Sequence, residues 1–160
     1  MSIKIIDNYL KNDLYLNIKK TIDLDTFPWF FSEKIDLDIK DKYNYQFVHV
    51  FYKDNTINSS FFNILKPILI KLQPKALIRI KANLNPISQK LVKCAFHNDQ
   101  SFDCKVAIYY LNDNNGYTMV GDRKVESKAN RMLLMNSKIK HYGTNSTNCT
   151  NRMLINFNYF

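Results

Sequence analysis

Two histidines and an aspartate are spaced as the ligands of a metal ion would be. His97-Asn98-Asp99 places an imidazole and a carboxylate two residues apart, so both point to one face of an extended segment. His141 follows 42 residues after Asp99, in a later alternating segment. Two histidines and one carboxylate on one side of an ion, with its other positions open, are typical of non-haem Fe(II) centres. We therefore predict a catalytic metal site of His97, Asp99 and His141, although a His-x-Asp pair by itself is more often structural.

An arginine and a tyrosine are candidates for binding a carboxylate. Arg152 comes 11 residues after His141, at the start of the last predicted strand, and a guanidinium binds a carboxylate through two parallel hydrogen bonds. A surface position is the alternative for this arginine. Tyr110 lies in the segment Ala107–Asn112, where alternation places it on the same face as Ile108. Its hydroxyl would help to hold the same carboxylate, with core packing as the alternative.

The first half of the chain predicts two helices and a strand. In the first helix, apolar residues recur at every fourth position and form one stripe: Leu10, Leu14, Ile18 and Ile22. Asp7 or Asn8 is its predicted N-cap. Residues 46–52 predict a strand, in which we interpret His49 as structural.

A second helix and a group of aromatic residues complete this half. The helix is predicted over about 59–72, with Ser59 or Ser60 as its cap. Pro67 either kinks it or marks its true start. The aromatic residues at 27–31 lie in a polar, irregular stretch, and we expect them to pack on the body of the protein.

From residue 76 the apolar period changes to two, which predicts strands. Eight segments alternate in this way: 76–84, 93–99, 104–111, 117–120, 124–127, 131–136, 139–143 and 151–159. Eight short strands behind two helices predict a mainly β fold, a double-stranded β-helix (jelly roll) covered on one side by the N-terminal helices. We expect a single domain over 1–160, in which 1–75 form the helical support and one strand, and 76–160 form the jelly-roll catalytic core.

Polar residues share a face on two of the predicted strands. On the last strand the even-numbered positions carry Arg152, Leu154, Asn156 and Asn158, whereas the odd-numbered positions are apolar. Such a face either lines a wet cavity or meets solvent, and the sequence leaves both interpretations open. Arg79, Lys81 and Asn83 share a face of the first alternating strand, at the mouth of the same cavity or on an exposed edge.

Composition excludes several classes of protein. The 160 residues are 46% hydrophobic and 14% aromatic, too apolar for a disordered chain. No apolar run approaches the roughly 18 residues of a membrane span, and the N-terminal residues show no secretory signal. The three cysteines are odd in number and form no C-x-x-C pair, which is typical of a reducing compartment. We therefore expect a cytoplasmic protein with no membrane partner.

The net charge of +9 raises the question of nucleic acid. Of the 23 basic residues, 19 are lysine. Lysine lacks the forked donor pair with which arginine recognises bases. The charge pattern therefore argues against a nucleic-acid partner.

Taken as a set, the motifs resemble one family. His97-x-Asp99, the strand Ile-Tyr-Tyr-Leu-Asn, His141 and Arg152 fall in the order found in the 2-oxoglutarate/Fe(II)-dependent dioxygenases, most of all in their prolyl-hydroxylase-like branch. The resemblance covers about residues 76–160, and the N-terminal half matches only in general layout. The spacing from the second histidine to the arginine is slightly longer than in many relatives.

The resemblance implies a cofactor set and a role for each residue. His97, Asp99 and His141 would ligate Fe(II), and 2-oxoglutarate and O₂ would be cosubstrates. Arg152 and Tyr110 would hold the distal carboxylate of 2-oxoglutarate. Asn83 is expected to be a further cofactor-binding residue, since that branch often has an active-site polar residue at about this position.

The activity implied by the resemblance is hydroxylation of a peptidyl or free amino-acid side chain such as proline, with release of succinate and CO₂. The partner would then be a small molecule or a peptide. Three alternatives stay open: an oxidative demethylase of nucleic-acid bases, a cupin-type metalloenzyme and a non-catalytic jelly-roll binding module. A cupin site usually offers His-x-His with an added glutamate, and the chain contains only Glu33 and Glu126. The residues that choose the substrate are expected in 23–45, 85–96 and 112–128.

Overall fold

The computed structural model describes residues 3–33 and 44–160, and within these ranges the protein is mainly β. The first part contains β1 (Lys4–Ile6), α1 (Asn12–Ile22), β2 (Phe30–Ser32), β3 (Gln46–Lys53), β4 (Thr56–Ile57), a 3-10 turn (Phe62–Leu65) and α2 (Lys66–Leu72). The second part contains β5 (Leu77–Pro86), β6 (Lys105–Tyr110), β7 (Tyr117–Val120), β8 (Arg123–Glu126), β9 (Arg131–Asn136), β10 (His141–Gly143) and β11 (Asn151–Tyr159).

The strands form two antiparallel sheets. The larger has the order β1-β9-β6-β11-β5-β3-β2, with β4 paired to β3, and the smaller has the order β10-β7-β8. β11 therefore lies between β5 and β6. Its register with β5 places Arg152 opposite Asn85 and Asn156 opposite Lys81. Side chains at opposed positions share a face of the sheet, so the polar residues of the two strands form one continuous surface.

The two faces of β11 meet different neighbours, as its alternation predicts. Ile155 and Phe157, both fully buried, belong to a core cluster that also contains Ile18 of α1 and Ile68 of α2. On the opposite face, Leu154 belongs to a second cluster that includes residues of β7 and β8 in the smaller sheet. Each such buried side chain contributes roughly 1.5–3 kcal/mol. The polar face of β11 therefore lies between the sheets and not in open solvent.

The predicted cap of the first helix is wrong. α1 begins at Asn12, with Lys11 at the N-cap position and no side-chain hydrogen bond there. Asp7 instead accepts hydrogen bonds from the Arg131 guanidinium at 2.6 and 3.1 Å, and Asn8 adopts φ 50°. The long-range ion pair holds the chain away from a capping geometry.

The second helix and one predicted strand also differ from expectation. α2 has Pro67 in its first turn, so the proline marks the true start of the helix. Ser59 acts one turn earlier, where its Oγ accepts a 3.0 Å hydrogen bond from the Phe61 N–H. Residues 93–99 form no regular strand and join the smaller sheet only through isolated bridges, one of which pairs His97 with His141.

The aromatic group at 27–31 is only partly packed. Phe27 is buried, whereas Phe30 and Phe31 are 61% and 62% exposed, because they lie on β2 at one end of the larger sheet. Residues 34–43 of the predicted loop 23–45 lie outside the described residues. Among those that are described, α1 with 11 residues and α2 with 7 are both too short to cross a bilayer.

Candidate metal centre

The three predicted ligands come together at a cavity between the two sheets. Nε2 of His97 and Nε2 of His141 each lie 3.8 Å from Oδ1 of Asp99, and one ligand atom from each residue falls within 4.8 Å of the others. The histidines exchange two backbone hydrogen bonds of 3.0 Å, which sets their rings 4.7 Å apart. This bridge explains how residues 44 positions apart in the sequence reach one site.

Each imidazole is oriented by its second nitrogen. Nδ1 of His97 lies 3.0 Å from the Ala95 carbonyl oxygen, and Nδ1 of His141 lies 3.3 Å from that of Ile139. A carbonyl only accepts, so each Nδ1 carries the proton and donates. In the neutral imidazole this leaves the lone pair on Nε2, on the side of Asp99, which is the tautomer that a metal ligand requires.

The carboxylate of Asp99 is held by two amides. Its Oδ2 accepts hydrogen bonds from Nδ2 of Asn156 at 2.8 Å and of Asn158 at 3.0 Å. Gln100 donates to Oδ1 of Asn158 at 3.1 Å, which sets the direction of that amide. Oδ1 of Asp99 is left facing the imidazoles, with Nη2 of Arg79 3.6 Å away.

The protonation states of the site suit a cation. Burial alone raises the pKa of Asp99, but His141, the amides of Asn156 and Asn158, and Arg79 more than offset it, so the pKa lies below its ordinary value. Burial lowers the pKa of His141 more than Asp99 raises it, so this imidazole gives up its proton to a metal ion more readily than a free one. An ionised carboxylate and neutral imidazoles are the forms that bind metals.

This donor set fits a divalent first-row ion. Two Nε2 atoms and one carboxylate oxygen converge from one side, and the cavity leaves the other side open. Nitrogen and oxygen ligands in this arrangement suit Fe(II). His97, Asp99 and His141 would hold the ion.

Arg152 lies in the same cavity and is 2% exposed. Its Nε donates to Oγ of Ser127 at 2.7 Å and its Nη2 to Oγ1 of Thr118 at 3.0 Å. Within 3–33 and 44–160, no carboxylate lies within ion-pair distance of this guanidinium. A buried cation without an anion is costly, so the geometry fits an anionic ligand.

Tyr110 supports this end of the cavity through Thr118. The tyrosine is fully buried, and its hydroxyl donates to Oγ1 of Thr118 at 2.8 Å. Burial raises the pKa of Tyr110, which keeps the hydroxyl protonated as a donor. Thr118 thus accepts from both Tyr110 and Arg152, so its own proton is free to donate into the cavity.

A glycine makes room for the arginine. A Cβ atom on Gly116 would lie 2.5 Å from Cδ of Arg152 and 2.5 Å from the carbonyl oxygen of Asn145. Neither distance is tolerated without a shift of the neighbouring atoms. Gly116 is therefore required by the close approach of the Arg152 side chain.

The cavity has a volume of about 510 Å³ and includes every predicted site residue except Tyr110 in its lining. Asn83 lines it with a buried Oδ1 atom that has no hydrogen-bond partner. Sequence reasoning missed Gly116, Thr118 and Ser127. The one signal for Thr118 is a hydroxyl residue in the middle of the otherwise apolar β7.

Comparisons with known proteins identify the fold. The sequence matches no family model and no curated protein. Solved structures do match. One is a prolyl hydroxylase from Trichoplax adhaerens in complex with a peptide fragment of the hypoxia inducible factor oxygen degradation domain. It has a TM-score of 0.67 and 14% identity, and the match covers 98% of this chain and 83% of that chain. An oxidoreductase of the 2OG-Fe(II) oxygenase family from Burkholderia pseudomallei has a TM-score of 0.66 and 10% identity, over 98% and 84%.

A third match has a different reaction. The non-haem α-ketoglutarate-dependent epimerase SnoN from nogalamycin biosynthesis has a TM-score of 0.69 and 14% identity, over 99% of this chain and 77% of that chain. Identities this low show a shared fold. The predicted likeness to 2-oxoglutarate/Fe(II) oxygenases, with prolyl hydroxylases among them, is confirmed at that level, and the two antiparallel sheets are those of a jelly roll.

Proposed function

We propose that this protein is a non-haem Fe(II)- and 2-oxoglutarate-dependent oxygenase that hydroxylates a peptidyl or free amino-acid side chain and releases succinate and CO₂. The observation that carries the proposal is the pairing of two features in one cavity. One is the His97, Asp99 and His141 cluster, and the other is the buried Arg152, which has hydroxyl partners but no carboxylate within the described residues.

The spacing of these two features suits a small dicarboxylate. Arg152 lies four residues along β11 from Asn156, the residue that holds Asp99. That corresponds to about 13 Å along the strand. A small ligand can bridge this distance because the arginine side chain reaches in from one end and the metal-binding side chains from the other. A 2-oxo acid would bind the ion at one end and offer its far carboxylate to Arg152 at the other.

The protein's own side chains would bind the ion and orient 2-oxoglutarate. When bound, iron and 2-oxoglutarate supply the oxidising chemistry by which O₂ hydroxylates a C–H bond. His97, Asp99 and His141 would hold the ion from one side and so leave room on its other side for 2-oxoglutarate and O₂. Arg152 and the free proton of Thr118 bind the distal carboxylate, and Tyr110 positions Thr118.

Three further parts of the proposal concern the substrate, the location and Asn83. A prolyl or similar amino-acid substrate is suggested by the peptide-bound prolyl hydroxylase among the matches. A cytoplasmic location is suggested by three free cysteines. A role for Asn83 in binding cofactor or substrate is suggested by its unpaired buried Oδ1.

The test measures succinate formed from 2-oxoglutarate with and without Fe(II) under air. We expect iron-dependent succinate that is lost in His97→Ala and in Asp99→Ala. Asp103→Ala is the matched control, because Asp103 follows on the same segment but is exposed and points to Asn136 and Lys138. Equal succinate from wild type and Asp99→Ala would overturn the assignment of ligands. Failure of the wild-type protein to bind Fe(II) or Mn(II) would favour a non-catalytic module.

A further inference from the structure

Two more cationic side chains line the cavity beside the metal centre. Arg79 and Lys81 lie on the cavity face of β5, with Asn83 next along that face. Lys81 is opposite Asn156 in the pairing of β5 with β11, and Asn156 binds Asp99. The two cations are therefore close to the metal end of the cavity, about 13 Å along the sheet from the Arg152 level.

Arg79 pairs with Asp99 through Nη2 at 3.6 Å, but other polar atoms of this group have no partner in the protein. Nε of Arg79 and Oδ1 of Asn83 are buried and have no hydrogen-bond partner. Lys81 makes no hydrogen bond and no ion pair with any of the described residues. Buried polar groups are normally paired, so the unpaired buried atoms of Arg79 and Asn83 point to a ligand, and the Lys81 ammonium lies beside them on the same face.

The charge balance gives the sign of that ligand. Among the described residues, three cationic side chains and one carboxylate, Asp99, line the cavity. A divalent ion and the dianion of 2-oxoglutarate would cancel each other. Two positive charges then remain uncompensated in a confined space, where charges interact more strongly than in water.

We propose that Arg79, Lys81 and Asn83 form a second anion subsite, which binds a carboxylate on the substrate. This inference rests on the proposed function and narrows its substrate class. A carboxylate accepts from the ammonium of Lys81 and the guanidinium of Arg79, and the amide of Asn83 binds a neighbouring polar group of the same molecule. The carboxylate is either the free α-carboxylate of an amino acid or an acidic side chain in a peptide.

The test uses probes that differ only by the carboxylate. The protein is loaded with Zn(II), which supports no turnover, and with saturating 2-oxoglutarate, and binding is followed by ligand-observed saturation-transfer NMR. N-acetyl-L-proline is compared with its neutral amide, and N-acetyl-L-aspartic acid N-methylamide with its asparagine counterpart. We expect at least one acid to bind about tenfold more tightly than its neutral partner, and the pair that responds identifies the source of the carboxylate.

Variants assign the preference to the subsite. Lys81→Met should remove the discrimination between acid and neutral probe. Lys105→Met is the matched control, because it removes the same charge from the opposite face of the same sheet, where Lys105 lies over the Tyr159 ring. Equal binding of acid and neutral probes by the wild type, or equal losses in both variants, would overturn the proposal. Tighter binding of thymidine 5′-monophosphate than of either acid would also overturn it, in favour of a nucleic-acid substrate.

A calorimetric titration of 2-oxoglutarate into the Zn(II)-loaded protein separates the two levels of inference. Failure to bind 2-oxoglutarate would remove the proposed function and this subsite together. Normal binding of 2-oxoglutarate with no preference for acidic probes would remove the subsite alone. Loss of 2-oxoglutarate binding in Lys81→Met would place Lys81 in the cosubstrate site and contradict the proposal.

Discussion

Asn158 donates a 3.0 Å hydrogen bond to Oδ2 of Asp99 from the far end of β11. The amide thereby occupies the carboxylate oxygen that faces away from the histidines and leaves Oδ1 for an ion. Asn158 is fully buried, so this contact is shielded from competing water. The orientation of this candidate metal ligand depends in part on a strand residue that would not itself touch the metal.

Asn158→Leu tests this dependence. The substitution keeps the branched shape of the side chain but removes the donor, so only Asn156 still holds Oδ2 of Asp99 and the carboxylate is less firmly oriented. We expect the affinity for Mn(II) to fall about 10–100-fold, measured by calorimetry on the purified variant. Asn136→Leu, at the exposed end of β9, is the control and should bind Mn(II) like wild type. An unchanged affinity in folded Asn158→Leu would show that the amide does not orient the carboxylate.

Gly116→Ala tests the space reserved for Arg152. The added Cβ would meet Cδ of Arg152 and the Asn145 carbonyl at 2.5 Å, so the guanidinium must move. We expect the affinity for 2-oxoglutarate to fall about tenfold or more, since charged hydrogen bonds are each worth about 1.5–3 kcal/mol, while Mn(II) affinity stays near wild type.

Gly121→Ala is the control for that change. A Cβ at Gly121 meets nothing within 4 Å, but its φ of +56° disfavours a side chain. We expect it to lower stability by about 1 kcal/mol without changing 2-oxoglutarate affinity. Equal 2-oxoglutarate affinities in the two folded variants would contradict the account of Gly116.

The ion pair that displaces the predicted helix cap gives a pH-dependent stability. Hydrogen bonds from Arg131 and Lys128 lower the pKa of Asp7 from 3.8 to about 2. The folded state binds this proton less tightly than the unfolded state, so the stabilisation is present above pH 3.8 and is lost as the pH falls through about 2. Because Asp7 is 38% exposed, solvent screening reduces the contribution to about 1 kcal/mol.

Asp7→Asn checks that contribution by urea unfolding. At pH 7 the variant should be about 1 kcal/mol less stable than wild type. The difference between the two proteins should shrink by pH 2.5, because wild-type Asp7 begins to bind its proton there. A difference that is constant across this range would show that the carboxylate charge is not the source of the stability.

The strands that carry the site could be predicted from the sequence because their signal is local. Apart from Leu154, β11 alternates between apolar and polar residues, which predicts a strand; the structure buries both of its faces, which the alternation alone had left open. The His97-x-Asp99 spacing is local as well. The second histidine reaches the pair through a bridge between distant segments; it was included because it lies on a later alternating segment, and the family resemblance added to that argument.

The remaining features depend on long-range partners that local patterns do not contain. Asp7 pairs with Arg131, 124 positions away in the sequence. The sequence alone therefore could not show whether Asp7 caps the first helix or forms an ion pair. Arg152 bonds Thr118 and Ser127 across 34 and 25 positions, and neither hydroxyl stands out locally. Apolar character also fails to separate core from sheet edge, which is why Phe31 was expected to pack but is exposed.

The central claim is that one cavity binds Fe(II) and 2-oxoglutarate together, with Arg152 holding the far carboxylate. The most direct measurement is an anaerobic titration of the Fe(II)-loaded protein with 2-oxoglutarate, followed by the weak visible charge-transfer band of a 2-oxo acid chelated to ferrous iron. The account predicts a saturable band in wild type and a shift of the half-saturation concentration by about 10–100-fold in Arg152→Met. Iron binding without a band, or a band that saturates equally in both proteins, would contradict it.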